Sequence, residues 1–129
     1  MSDSQSTIAQ YESVLNECLE RIPGAVAASV VGLDGISLIS VTNDDNHNTE
    51  LADAEVALML AMSDKATSGM EIGRMEEMIA TAEQATVVAR LLRKEFYLTL
   101  VMKGEQLNLG LARLELTRVS STFEEMIPA

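Results

Sequence analysis

Chemistry at neutral pH needs a nucleophile, a base or a set of ligands, and this chain has few of each. Its one histidine, His47, sits in the polar run Asn43-Asp44-Asp45-Asn46-His47-Asn48. Hard oxygens can attract a cation, but the glycine-centred spacing of a calcium loop is missing, and a solvated loop is the better account. The one cysteine, Cys18, falls on the apolar side of a helical pattern, which makes it a small core residue and not a nucleophile. Carboxylate pairs such as Glu76-Glu77 and Glu124-Glu125 are plentiful. Adjacency in sequence does not set two carboxyls around a substrate, so these pairs read as solvated faces. The phosphate-cradling, dinucleotide and nucleophile-elbow glycine motifs are all missing. The expectation is therefore a binding protein and not an enzyme, with no catalytic residue, no metal ligand and no cofactor.

The totals narrow the partners. The 129 residues carry a net charge of −11, with 47% apolar and 3% aromatic residues. A surface this acidic repels phosphate backbones and anionic membranes, which argues against nucleic acid and membrane insertion. The only rings are Tyr11, Tyr97, Phe96 and Phe123, too few for stacking bases or sugars. The core must be aliphatic, with methionine as an adaptable filler. A lone cysteine excludes an intramolecular disulfide. The opening Met-Ser-Asp-Ser-Gln-Ser-Thr lacks the basic and apolar regions of a signal peptide, and no apolar run is long enough for a membrane span, so a cytoplasmic location is expected.

The elements that must position any site follow from periodicity. Ile8, Tyr11, Leu15, Cys18 and Ile22 recur at helical spacing, capped by Ser6 or Thr7 and ended by Pro23-Gly24. Residues 25–33 read as a buried strand and 36–42 as an alternating one, joined by a two-residue Asp34-Gly35 turn with positive φ angles. A second helix starts at Thr49-Glu50 and stops at Gly69. Strands are expected at about 74–81, 85–92 and 96–102, with Arg93-Lys94-Glu95 as the last turn. Asn108 caps a final helix whose apolar stripe is Ala112, Leu116, Val119, Phe123 and Ile127. This is one α/β (α+β) domain over residues 6–127, after a flexible 1–5, in the order α-β-β-α-β-β-β-α. Tight hairpins imply an antiparallel sheet with helices packed on its faces.

The second helix has two apolar faces. Leu51, Leu58, Met59 and Met62 form a broad one, which belongs on the sheet. Val56, Ala57 and Leu60 form another, among Asp53, Ser63, Asp64 and Thr67. Scattered exposed apolar residues are normal, but these are contiguous and small enough to let another helix approach, which favours a partner surface. Met59, Met62, Met70, Met75 and Met78, five of the eight methionines, lie in this helix and the strand after it. Glu55 falls near the centre of the first face, where it must emerge at the sheet edge or meet a cation such as Arg74.

Three segments now carry a resemblance. They are Val30-Val31-Gly32-Leu33-Asp34-Gly35, the helix from about Leu51, and Asn108-Leu109-Gly110-Leu111-Ala112-Arg113-Leu114-Glu115-Leu116. In this order and spacing the chain resembles the roadblock/dynein light chain family over about residues 10–127. The resemblance implies a five-stranded antiparallel sheet with the second helix on one face and the terminal helices on the other. It implies a homodimer in which the central helix and third strand meet their copies, through Val56, Ala57, Leu60, Ser63, Met75 and Met78. It also implies a protein that binds and regulates a small Ras-like GTPase, similar to the gliding-motility partner that stimulates one. A structural scaffold in a motor or multi-protein complex uses the same dimer surface, and a metabolite-binding sensor is a third reading. Asp53, Asp64, Arg93 and Lys94 are candidate partner contacts. Arg90, Arg93, Arg113 and Arg118 are candidate arginine fingers, with nothing to single one out.

Overall fold

The structure is a computed structural model that describes residues 3–93 and 96–126, with side chains from residue 7 onward. The turn residues Lys94 and Glu95, and Ile127 at the end of the last expected stripe, lie outside the described residues.

The elements run α1 (Asp3–Arg21), β1 (Ala25–Gly32), β2 (Ser37–Thr42), α2 (Thr49–Gly69), β3 (Glu77–Thr81), β4 (Thr86–Arg93), β5 (Phe96–Met102) and α3 (Leu109–Met126). The order is the expected one. Helix α1 begins at Asp3, ahead of Ser6 and Thr7, so neither residue caps it. Strand β3 is shorter than its hydrophobic pattern suggests, because residues 70–76 are taken up by the connection from α2. Asn48 and Asn108 act as N-caps: their Oδ1 atoms accept from the Leu51 and Leu111 amides at 3.1 and 2.9 Å.

The β1–β2 turn differs from the expected two-residue form. Only Gly35 has positive φ, at 91°, and its amide donates to the Gly32 carbonyl while the Gly32 amide donates to the Ile36 carbonyl. This is a three-residue loop, a tight turn followed by a left-handed glycine. Asp34 Oδ1 accepts from the Ile36 amide and sits where a Cβ on Gly32 would come within 2.7 Å of it. A side chain at residue 32 would make Asp34 Oδ1 give way and so disturb its bond to the Ile36 amide.

All strands are antiparallel, in the order β2-β1-β5-β4-β3. Helices α1 and α3 cover one face, over Leu15, Cys18, Ile22, Val88, Leu98, Leu100, Leu116 and Phe123. The Tyr11 and Phe123 rings meet edge to face, with centroids 5.3 Å apart. Helix α2 covers part of the other face, over Val31, Ala89 and Tyr97. The alternation of each strand thus feeds two cores, one on each side of a single sheet. Among the described residues, no helix is long and apolar enough to cross a membrane.

Candidate interaction face

Helix α2 is turned the opposite way from the expectation. Val56, Ala57 and Leu60 are 5%, 1% and 0% exposed and pack on the sheet, so they are not a surface for a second chain. Leu51, Leu58 and Met62 are 59%, 57% and 65% exposed, with Met59 beside them. The reason lies beneath the helix. Asp53, on the buried side with Val56 and Leu60, accepts a hydrogen bond from the Ser40 hydroxyl, which also meets Ser29 and Ser37. Rotating the helix to bury Leu58 and Met62 would break that polar anchor and strand a carboxylate. Asp53, 6% exposed, is therefore part of the chain's own interior and not the partner contact expected. Glu55 lies exposed on the outer face and needs no cation to neutralise it.

The connection from α2 to β3 is held by a second carboxylate. Asp64 Oδ1 accepts from Arg74 Nε at 2.9 Å and from the Met75 amide at 3.0 Å, and Oδ2 accepts from Arg74 at 3.1 Å. The Met75 amide and the Arg74 guanidinium together hold the Asp64 carboxyl below its ordinary value. The Met75 carbonyl accepts from the fully buried Tyr97 hydroxyl at 2.6 Å. Asp64 is thus also engaged within its own chain, and so is Arg74, which pairs with Asp64 and not with Glu55. Met75 itself is 7% exposed. Met78 is half-buried, and its sulfur accepts from the Ser63 hydroxyl at 3.8 Å. Of the six residues expected to meet a second copy, Ser63 and Met78 retain partly open surface at the α2–β3 junction.

What the junction offers instead is a stripe and an edge. The stripe starts at Leu51, runs along α2 through Leu58, Met59 and Met62, and continues into Met70 and Ile72, each 67% exposed. Of the eleven exposed large apolar side chains among the described residues, six lie on it. Contiguity of this kind marks an interaction surface, unlike scattered exposed side chains. The C-terminal half of α2 meets β3 where Ser63 bonds Met78, and β3 pairs with β4 alone. The Leu91 amide bonds Glu76, and Ala82 bonds Ala85, so residues 76, 78, 80 and 82 face β4. The alternate residues Glu77, Ile79 and Thr81 turn their backbone groups outward. An unpaired edge next to an apolar stripe can accept another strand while the stripe is covered.

The other candidate residues are tied up within the chain. Arg90 and Arg113 both pair with Glu77, at 3.6 and 2.9 Å, and Arg118 pairs with Glu115 at 2.7 Å. Arg93 donates to the Glu124 carbonyl at 3.3 Å. In the polar loop, Asp44 accepts from the Asn46 amide and pairs with Lys103, which together lower its pKa. Cys18 is fully buried, and burial with the Glu115 carboxylate nearby pushes its thiol up to about 11. Among the described residues no cluster of His, Cys, Asp and Glu could hold a metal ion.

Known proteins share this arrangement of chain. No family model matches the sequence, and no curated protein matches it. Solved structures do. An MglB with tetrameric arrangement superposes at a TM-score of 0.83 with 18% identity, covering 94% of this chain and 90% of that one. The gliding protein MglB of Thermus thermophilus gives 0.82 with 19% identity and the same coverages, 94% and 90%. A roadblock/LC7 domain from Streptomyces avermitilis gives 0.78 with 10% identity, covering 88% and 94%. Over 94% of its length, then, the chain has the fold of MglB, and over 88% that of a roadblock/LC7 domain.

Proposed function

We propose that this protein is a homodimeric adaptor that binds a small Ras-like GTPase and regulates its nucleotide cycle. The observation that carries the reading is the exposed apolar stripe of α2, a helix that meets the edge strand β3 at Ser63 and Met78. An apolar helix face and a free strand edge at one junction are the two halves of a surface for another protein. The fold likeness to MglB and the family resemblance of the sequence supply the class of partner. The acidic surface suits protein partners with basic patches and disfavours nucleic acid. Arg90, Arg93, Arg113 and Arg118 each meet an acidic or carbonyl group of their own chain, which favours regulation by positioning groups of the GTPase over an inserted arginine.

The test is retention on immobilised protein from a lysate of the source organism, with a GTP analogue or GDP present and identification by mass spectrometry. A Ras-like GTPase held mainly in one nucleotide state is the expected result. Large assembly subunits held equally with both nucleotides would replace this reading with that of a structural scaffold.

A further inference from the structure

Strand β2 lies at the other edge of the sheet, and it carries one extra residue. Val30 faces Ile39 and Val31 faces Ser37, so Leu38 is left over between them. An insertion of this kind turns two successive side chains to the same side. Ser37 and Ser40 accordingly meet at 2.6 Å on the side where Ser40 reaches Asp53 of α2. Leu38 and Ile39 both point to the side of α1 and α3, although regular alternation would send Leu38 the other way. Ile39 is buried there, whereas Leu38 is 53% exposed. A groove of about 290 Å³ opens at this point, lined by Ile8, Tyr11, Val30, Leu38, Ile39 and Phe123. Its floor is preformed: Val30 and Ile39 belong to the core, and Phe123 is held edge to face by Tyr11. Five exposed large apolar side chains among the described residues lie off the α2 stripe. Three of them, Ile8, Ile36 and Leu38, are on α1 and the β1–β2 hairpin.

We propose that this groove seats a basic amphipathic helix of a partner protein, on the face of the sheet opposite α2. Shape and charge select the occupant. A groove this small and open holds one or two apolar side chains and not a whole metabolite. The bulge interrupts the regular outer edge of β2, which blunts it against an added strand and leaves a helix as the form of the segment. The exposed acidic residues nearest in sequence to the lining are Glu12, one turn on from Ile8, Asp34, in the turn before Leu38, and Glu124 and Glu125, just after Phe123. The neighbouring cation Arg93 is occupied by the Glu124 carbonyl. With a chain charge of −11, this rim favours lysine and arginine around the apolar anchor. It disfavours a second copy, which brings the same carboxylates, and an anionic membrane. Because α1 and α3 lie across the sheet from α2, the groove can be filled while the α2 face is engaged. The proposal goes beyond the GTPase reading and stands whether or not the α2 face binds one.

The probe is a short synthetic helix with leucine along one stripe and lysine elsewhere. It is titrated into the full chain and followed by the methyl resonances of Ile8, Leu38 and, on the opposite face, Leu58. Shifts at Ile8 and Leu38 are the expected result. Leu38→Ser, a change at an exposed site that leaves the fold intact, should weaken binding roughly tenfold. Scrambling the peptide, which keeps its charge and removes its stripe, should weaken it by about as much. The same leucine stripe with glutamate in place of lysine should not bind. Shifts confined to Leu58, or binding indifferent to Leu38→Ser or to scrambling, would overturn the site. Equal binding of the glutamate peptide would overturn the basic occupant. Binding seen only after removal of residues 127–129 would make the chain's own end the occupant, and self-association abolished by Leu38→Ser would make it a second copy; either overturns the proposal.

Discussion

Met75 is gripped at both of its backbone groups, by Asp64 at the amide and Tyr97 at the carbonyl. The grip fixes the point where the connection from α2 becomes the approach to β3. Because the folded state holds Asp64 below its ordinary 3.8, its stabilisation is present above that value and is lost as pH falls beneath it. Thermal melts of wild type and Asp64→Asn should therefore differ at neutral pH, with the wild type more stable, and the gap should narrow as pH falls beneath 3.8 and close once Asp64 is protonated in the folded state as well. A gap independent of pH would rule out an ionised Asp64 as the source. Cys18 gives a second test at this scale. With its thiol pushed up to about 11, almost no thiolate exists at neutral pH, and the side chain is also inaccessible. Alkylation at neutral pH should be slow in the native protein and rapid in denaturant. Rapid native labelling would mean that α1 lifts from the sheet.

Helix α2 decides which surface this protein offers, and here a pair of truncations separates inside from outside. Leu60→Ala should destabilise the protein by about 2–5 kcal/mol, since it empties a fully buried site. Leu58→Ala, at an exposed site, should change the stability of the dilute monomer by within about 0.5 kcal/mol and weaken self-association instead. Equal effects of the two on denaturant melts would contradict the orientation described. The helix itself is legible from its periodicity and its Gly69 end, as are the antiparallel strands and the caps at Asn108 and, nearly, Asn48. Its orientation is not. Two apolar stripes lie on one helix, and the bulkier one, with Leu and Met, has the look of a core. What turns Val56 and Leu60 inward is Asp53 bonding to Ser40, a contact between residues 13 apart in sequence that periodicity does not encode. The same limit applies to Asp64 and Arg74, whose pairing depends on the path of residues 70–76. The β1–β2 turn falls where its residues put it, but its length escapes the pattern because Asp34 uses its side chain to close the loop.

As a whole the molecule is a sheet open at both edges, with a helix pair on one face and a single helix on the other. If α2 and β3 close against a second copy, folding is coupled to association, and the melting temperature should rise with protein concentration. Scanning calorimetry across a hundredfold range checks this, and a constant midpoint would mark a monomer. The strand order carries a further consequence. In β2-β1-β5-β4-β3, the centre of the sheet joins Ala25 to Met102, from near opposite ends of the described chain. On a ribosome, β1 and β2 can form their hairpin early, but β1 has no neighbour on its other side until β5 has been made. All of α2, β3 and β4 must be synthesised while that inner strand edge waits in the exit tunnel's vestibule or beyond it. The nascent chain thus depends on its late strands to finish what its early ones begin, and a stalled or truncated translation product would present to the chaperone machinery a strand edge that the finished protein buries inside its sheet.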